Sequence, residues 1–270
     1  MQLLADIAAW SLLAFGLILF VSQAAAYECG YRLGRGRRQH GAGPEADGVG
    51  LFVGGLLGLL AFVLALTLSY GSARFGERRQ GTLAEANAIG TAWLRAEAVG
   101  QSRGQAIASM LEEYAKLRKA YLEAPRNSPL LYDIDQQSSI LQTKIWGQVA
   151  GLVRDRSDAV AASLMSAVNE TFDMSTAERF ALESRFPPQL FWLLIGMAVI
   201  AMATVGYQTG LKEYKLRALA ALLAAVWTAV IVVILDMSAP RLGAIRTNAA
   251  VYDWTMQGFK AGLSVPPVSP

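Results

Sequence analysis

Apolar positions crowd into four long runs, and polar positions fill the stretches between them. The runs extend from about Leu3 to Tyr27, Val49 to Tyr70, Gln189 to Tyr207 and Leu216 to Leu235. A helix of about 20 apolar residues is long enough to cross the hydrocarbon core of a bilayer. Leu51 to Leu68 and Ala218 to Leu235 contain no charged residue at all. The pattern predicts an all-α membrane protein with four transmembrane helices and a long helical-hairpin insert between the second and third. The corresponding divisions are residues 1–71, 72–187, 188–238 and a C-terminal tail, 239–270. The first run has no Lys or Arg before its apolar stretch and carries Asp6 instead. A cleaved signal peptide has a positive leading region, so the run reads as a retained anchor.

Between residues 72 and 187 the period changes. Ile107, Met110, Leu111, Tyr114, Leu117 and Tyr121 recur three and four apart, which predicts an amphipathic helix. Proline is absent from Gly48 to Ala124, so the second span is expected to continue into this stripe as one stalk. Gly100 and Gly104 are the expected bends, because glycine weakens a helix interior. Ser128 before Pro129 reads as an N-cap and first-turn pair. It opens a helix that carries Leu141, Ile145, Val149 and Leu152 on one face. Ser175-Thr176-Ala177-Glu178 has the form of a capping box and predicts the start of a further short helix. Glu28 and Arg32 stand one turn apart where the first helix leaves the membrane, with Arg35 following. The six-residue link Gly210 to Lys215 makes the last two spans an antiparallel pair.

Composition narrows the function. Charged residues make up 17% of the chain and apolar ones 54%, against about 25% charged in soluble domains. The net charge of +3 does not mark a nucleic-acid binder. Ser72 to Pro187 carries fourteen basic and fourteen acidic residues, so the insert is neutral, whereas nucleic-acid binders concentrate positive charge. One histidine (His40) and one cysteine (Cys29) exclude an intrachain disulfide and the usual zinc ligand sets. His40 lies in a Gly- and Arg-rich loop, and no acid, base and nucleophile converge, so an enzyme is not expected. Neither a catalytic residue nor a cofactor nor a metal is assigned. Counts of Lys and Arg beside the spans tie between the two sides. The arginine-free start of the first helix tips the expectation towards both termini and the insert outside.

Several stretches resemble the bacterial bestrophin-like family of unknown function. They are Arg74-Phe75-Gly76-Glu77-Arg78-Arg79, Glu85-Ala86-Asn87-Ala88-Ile89-Gly90-Thr91-Ala92-Trp93-Leu94-Arg95, Gly206-Tyr207-Gln208-Thr209-Gly210-Leu211, the run from Ile234 to Arg246, and Tyr27 to Arg35. The resemblance implies kinship with bestrophins, which are oligomeric anion channels with a helical insert between their second and third spans. In bestrophins that insert is cytoplasmic, which conflicts with the orientation expected from charge.

Candidate residues follow from both readings. Gly50, Gly54 and Gly58 repeat every fourth position, a ridge that allows close helix packing either within one subunit or between subunits. Thr67 is a hydroxyl on the second span, able to face a pore or to bond a carbonyl one turn back. Arg74 and Arg78 could form a positive band at a pore mouth, favouring anions, or act as interfacial anchors. Asn87, Thr91 and Arg95, with Glu85 nearby, form a polar set suited to an ion site or to a seam between subunits. Glu28, Arg32, Asp236 and Arg241 are expected to serve structure. No ionisable group sits at mid-span, which disfavours ion-coupled transport. The expectation is a homo-oligomeric ion channel of the bacterial inner membrane, anion-conducting, with the second helix lining the pore. Its partners are lipid, inorganic ions and further copies of itself. The alternative is a non-conducting scaffold or envelope sensor that binds a partner protein through the insert.

Overall fold

The computed structural model describes residues 12–40, 46–100, 102–125, 128–183, 187–241 and 243–262. The start of the first apolar run with Asp6, most of the loop after His40, Arg185 and Leu242 lie outside these residues. The described chain is helical: α1 (Leu12–Gln39), α2 (Ala46–Val99), α3 (Ser102–Glu123), α4 (Pro129–Asp155), α5 (Ala159–Glu183), α6 (Pro188–Leu211), α7 (Arg217–Ser238) and α8 (Ala250–Ala261). Four helical stretches are long and apolar enough to cross a membrane; they contain α1, the first part of α2, α6 and α7. The chain divides into two compact units. Residues 1–75 and 185–246 form the first, and 76–184 and 247–270 the second.

In the first unit the apolar helices alternate in direction. α1 and α6 run parallel, Tyr27 meeting Gly206 and Tyr31 meeting Gly210. α7 runs against α1, with Thr228 beside Gln23 and Arg217 beside Glu28. The α1–α6 contact is the tightest of the set. A methyl group at Gly30 or Gly34 would run into the carbonyls of Ala203 or Tyr207, and one at Gly206 or Gly210 into those of Tyr27 or Tyr31. Two small-xxx-small motifs therefore interlock backbone on backbone, with Cα–H groups pointing at carbonyl oxygens. The ridge of Gly50, Gly54 and Gly58 does not pack this way within the chain. Only Gly50 has a neighbour, Gln208, while Gly54 and Gly58 are exposed with nothing within 4 Å. Polar contacts support the greasy packing: the Gln23 amide donates to the Thr228 hydroxyl at 2.9 Å, and the Thr209 and Tyr27 hydroxyls lie 3.2 Å apart. Buried Asp236, at the end of α7, accepts from the backbone N–H groups of Ala244 and Ile245 at 3.2 and 3.4 Å, which folds the chain after the span.

The second unit is more than a hairpin. α3, α4, α5, α8 and the latter part of α2 share one core, built around Ile89, Trp93, Ile107, Leu111, Ile145, Leu152, Leu164, Val168 and Tyr252. The stripe expected on α3 is the buried one, and so is that on α4. Ser128 caps α4 as expected, its hydroxyl accepting from Leu130 N–H at 3.2 Å. The stalk breaks at Gly100, whose φ of +67° suits glycine and little else. Gly104 is not a bend: it sits inside α3, where its lack of a side chain admits the Ala96 carbonyl. The capping-box reading of Ser175 and Glu178 is overturned. α5 runs unbroken from Ala159 to Glu183, and both residues are buried on its inner face. The break falls earlier, at Arg156 to Asp158, where the Asp158 carboxylate accepts from Ala161 N–H at 2.9 Å. The stretch read as a tail contains α8, which packs in this core through Tyr252 and Phe259.

The interlocked glycines generate a clear expectation. Gly206→Ala should destabilise the detergent-solubilised protein by about 2 kcal/mol or more, the cost of overpacking a closed contact. Gly54→Ala should leave the melting temperature of the monomer unchanged. Thermal melts of the two variants check both statements.

Candidate functional site

The second helix carries two different surfaces, and the sequence candidates divide between them. Its inner side in the first unit holds Val53, Leu60, Leu64 and Thr67, all buried. Thr67 is thus turned into the helix packing, where its hydroxyl donates to the Val63 carbonyl at 2.6 Å. Arg74 lies in the same register, half-buried, with its Nε donating to the Tyr70 hydroxyl at 3.1 Å and its guanidinium over the Tyr70 ring. Neither residue lies on the open side of α2. The open side is broader: Phe52, Leu59, Leu66 and Tyr70 are exposed, and beside them runs a stripe of mostly smaller residues, Leu51, Gly55, Gly58, Phe62, Ala65, Ser69 and Ala73. They recur three and four apart and so share one helical face. In the second unit Gln80, Leu83, Asn87, Thr91, Leu94 and Ala98 are exposed and recur at three, four and seven apart.

Asn87 and Thr91 therefore stay together on an open face, but Arg95 parts from them. Eight residues is not a whole number of helical turns, and Arg95 rotates inward to donate from Nη1 to the Ser163 carbonyl at 2.7 Å. Glu85 lies on the opposite side altogether, fully buried. Glu28 and Arg32 pair as expected at 3.1 Å, and Arg217 joins them at 3.2 Å. Arg241 lies half-buried in the turn after α7.

Around Glu85 four helices of the second unit converge. α2 supplies Arg78, Thr82 and Glu85, all buried; α3 supplies Tyr114 and Arg118; α5 supplies Ser175 and Glu178; α8 supplies Tyr252. Arg118 grips the Glu85 carboxylate with Nε and, at 3.2 Å, with Nη2. The Tyr252 hydroxyl donates to the same carboxylate at 2.8 Å. Two-toothed pairing of this kind is what makes a buried charge tolerable, since a lone one would cost several kcal/mol. Burial opposes the charge on Arg118, but the Glu85 carboxylate more than offsets it and holds the guanidinium ionised. Burial, and then the charge on Glu85, push the Tyr252 phenol upward, so it remains a donor.

Glu178 is the unusual member. Its Oε1 accepts from the Thr82 hydroxyl at 2.6 Å, while Oε2 is buried without a hydrogen-bond partner. Gly81 leaves the room that Oε2 occupies. Burial pushes this carboxyl up to about 7; the Thr82 hydrogen bond and the charges of Arg118 and Arg78 oppose the shift, and Glu85 adds to it. The cluster is thus an ion pair with a proton-binding carboxyl beside it. Of these residues the sequence singled out Arg78, Glu85, Ser175 and Glu178 for other roles and Tyr114 for the core. Arg118, Tyr252 and the inward turn of Glu178 were missed. The signal available was the i, i+4, i+7 series Arg78, Thr82, Glu85 on a helix whose other faces are apolar or exposed.

Two expectations follow for the cluster. Arg118→Met leaves Glu85 buried without its cation and should destabilise the second unit by about 3–5 kcal/mol, read as a lowered melting temperature. For Glu178 the folded carboxyl binds its proton more tightly than an unfolded one. Stability is therefore fullest below the unfolded value near 4.5 and falls as pH rises towards about 7, by a total of ~3 kcal/mol. Glu178→Gln, which cannot ionise, should abolish that fall in chemical denaturation measured across the same window.

Comparison with known proteins places these observations. No curated protein and no solved structure matches the chain. The family model of the Bestrophin-like domain matches residues 20–252, from the first apolar helix through the tyrosine that donates to Glu85. The match covers most of the sequence and both units, and this chain belongs to the Bestrophin-like domain family.

Proposed function

We propose that the protein is a homo-oligomeric anion channel of the bacterial inner membrane, with α2 lining the conducting path. Family membership supports the conducting role, because the family relates in general to anion channels. The observation that carries the choice of helix is the open stripe on α2. A span in a single chain would be expected to bury its small residues against neighbours. Here Gly55 and Gly58 have nothing within 4 Å, and Ala65, Ser69 and Ala73 are exposed beside them. Small and hydroxyl side chains leave space for a water-filled path when several copies gather around an axis.

Within that stripe Phe62, 61% exposed, is the one large apolar side chain between Leu51 and Leu83. A ring of phenyl groups would form an apolar constriction, of the kind that gates by dewetting. Farther along, Asn87 and Thr91 would offer polar groups to a passing or resting ion. Thr67, Arg74 and Arg78 act differently in this reading. They hold α2 in its packing, and the charge of Arg74 acts from behind the stripe.

The alternative, a non-conducting scaffold, draws support from the second unit, whose surface exposes Tyr132, Phe180 and Trp254 by 65% or more. Chloride efflux from liposomes separates the two. The channel predicts efflux from reconstituted protein, raised about tenfold by Phe62→Ala as the constriction widens, and unchanged by Thr67→Val. Folded, oligomeric protein that passes no chloride before or after Phe62→Ala would establish the scaffold instead.

A further inference from the structure

We infer that the end of the first unit where α1 and α6 finish and α7 begins is a docking surface for anionic phospholipid headgroups. α1 ends in Arg32, Arg35, Arg37 and Arg38, all exposed, and the link into α7 brings Lys212, Lys215 and Arg217 to the same end. The glycine interlock enforces this meeting. Gly34 abuts Tyr207 and Leu211, Gly210 abuts Tyr31 and Arg35, and Arg38 donates to the Leu211 carbonyl at 3.0 Å. By sequence, seven cations there stand against Glu28, Glu45, Asp47 and Glu213. Glu28 is shared by Arg32 and Arg217, and Glu213 lies 3.9 Å from Arg38. The balance is positive, three cations in excess.

The apolar residues of this surface identify the occupant. Leu33, Tyr214 and Leu216 are exposed by 69%, 54% and 41%, interleaved with the cations. A patch that binds a small soluble anion needs no such side chains. The boundary of a bilayer accommodates both: apolar groups and tyrosine at the acyl edge, and long cationic side chains reaching to phosphate. Clusters of four to eight Lys and Arg next to a span are attracted to anionic lipid, at roughly a fivefold gain in affinity per residue. Arginine adds planar, two-toothed recognition of phosphate.

The test uses the full-length protein in phosphatidylcholine bilayers with or without phosphatidylglycerol, released into detergent and weighed intact with its bound lipid. Wild type should retain phosphatidylglycerol in preference to phosphatidylcholine. Combined R35Q, R37Q and K215Q should abolish the preference. K215Q alone, on the exposed link, should weaken it about fivefold while leaving the melting temperature in phosphatidylcholine unchanged. That single variant keeps the result readable where the triple variant folds poorly. Neutralising Lys116, Lys144 and Arg154 of the second unit should have no effect. Equal retention of the two lipids by wild type, undiminished retention in K215Q and the triple variant, or displacement of the lipid by inorganic phosphate would each overturn the inference.

Discussion

Two helix backbones in contact decide the form of the first unit. Inside a bilayer there is no hydrophobic force between apolar helices, because lipid is as apolar as leucine. What favours protein neighbours over lipid is close van der Waals contact, and the closest contact is between glycines. Gly30, Gly34, Gly206 and Gly210 provide it, and the carbonyls of Tyr27, Tyr31, Ala203 and Tyr207 fill the space that side chains would occupy. The parallel course of α1 and α6 follows, and with it the placement of α7, pinned by Gln23 to Thr228 and by Glu28 to Arg217. Even the clustering of cations at one end is a by-product of two helices ending in register.

The second unit is organised on a different principle. Its core is ordinary: Leu, Ile, Val and aromatic side chains interdigitate among five helical pieces. Its centre is not. A carboxylate gripped by a guanidinium and a phenol ties α2, α3 and α8 together, and a slip of any of them would strand a charge in an apolar interior. Glu178 adds a proton-binding group at the same spot, on a helix that could have carried an apolar residue there.

The four apolar helices were legible because length and hydropathy are local properties. So were the α3 and α4 stripes, the Ser128 cap and the break at Gly100. Failures came where meaning depends on a partner far along the chain. Gly50, Gly54 and Gly58 look the same on paper as Gly30 and Gly34, yet only the latter pair meets a complementary pair 176 residues later. Ser175 and Glu178 have the spacing of a capping box, but a helix start also requires the preceding turn to be non-helical, and Phe172 to Met174 continue the helix. Asn87, Thr91 and Arg95 were grouped by a spacing of four, which drifts around the helix over two steps and carries Arg95 off the shared face. Thr67 takes the second of its two readings, bonding the Val63 carbonyl one turn back, and register alone does not tell which side of α2 is open.

The discontinuous make-up of the second unit also bears on biogenesis. Glu85 and Arg118 emerge from the ribosome early, whereas Tyr252 and Phe259 follow only after α6 and α7 have been synthesised. During translation the nascent bundle must wait with Trp93 lacking its Phe259 neighbour and Glu85 lacking the Tyr252 hydrogen bond, until α8 arrives to close it. Closure of the bundle is in this way coupled to completion of the last apolar helix. A chain stalled or truncated before residue 252 would retain its greasy spans and present an unfinished fold to the quality-control proteases of the membrane.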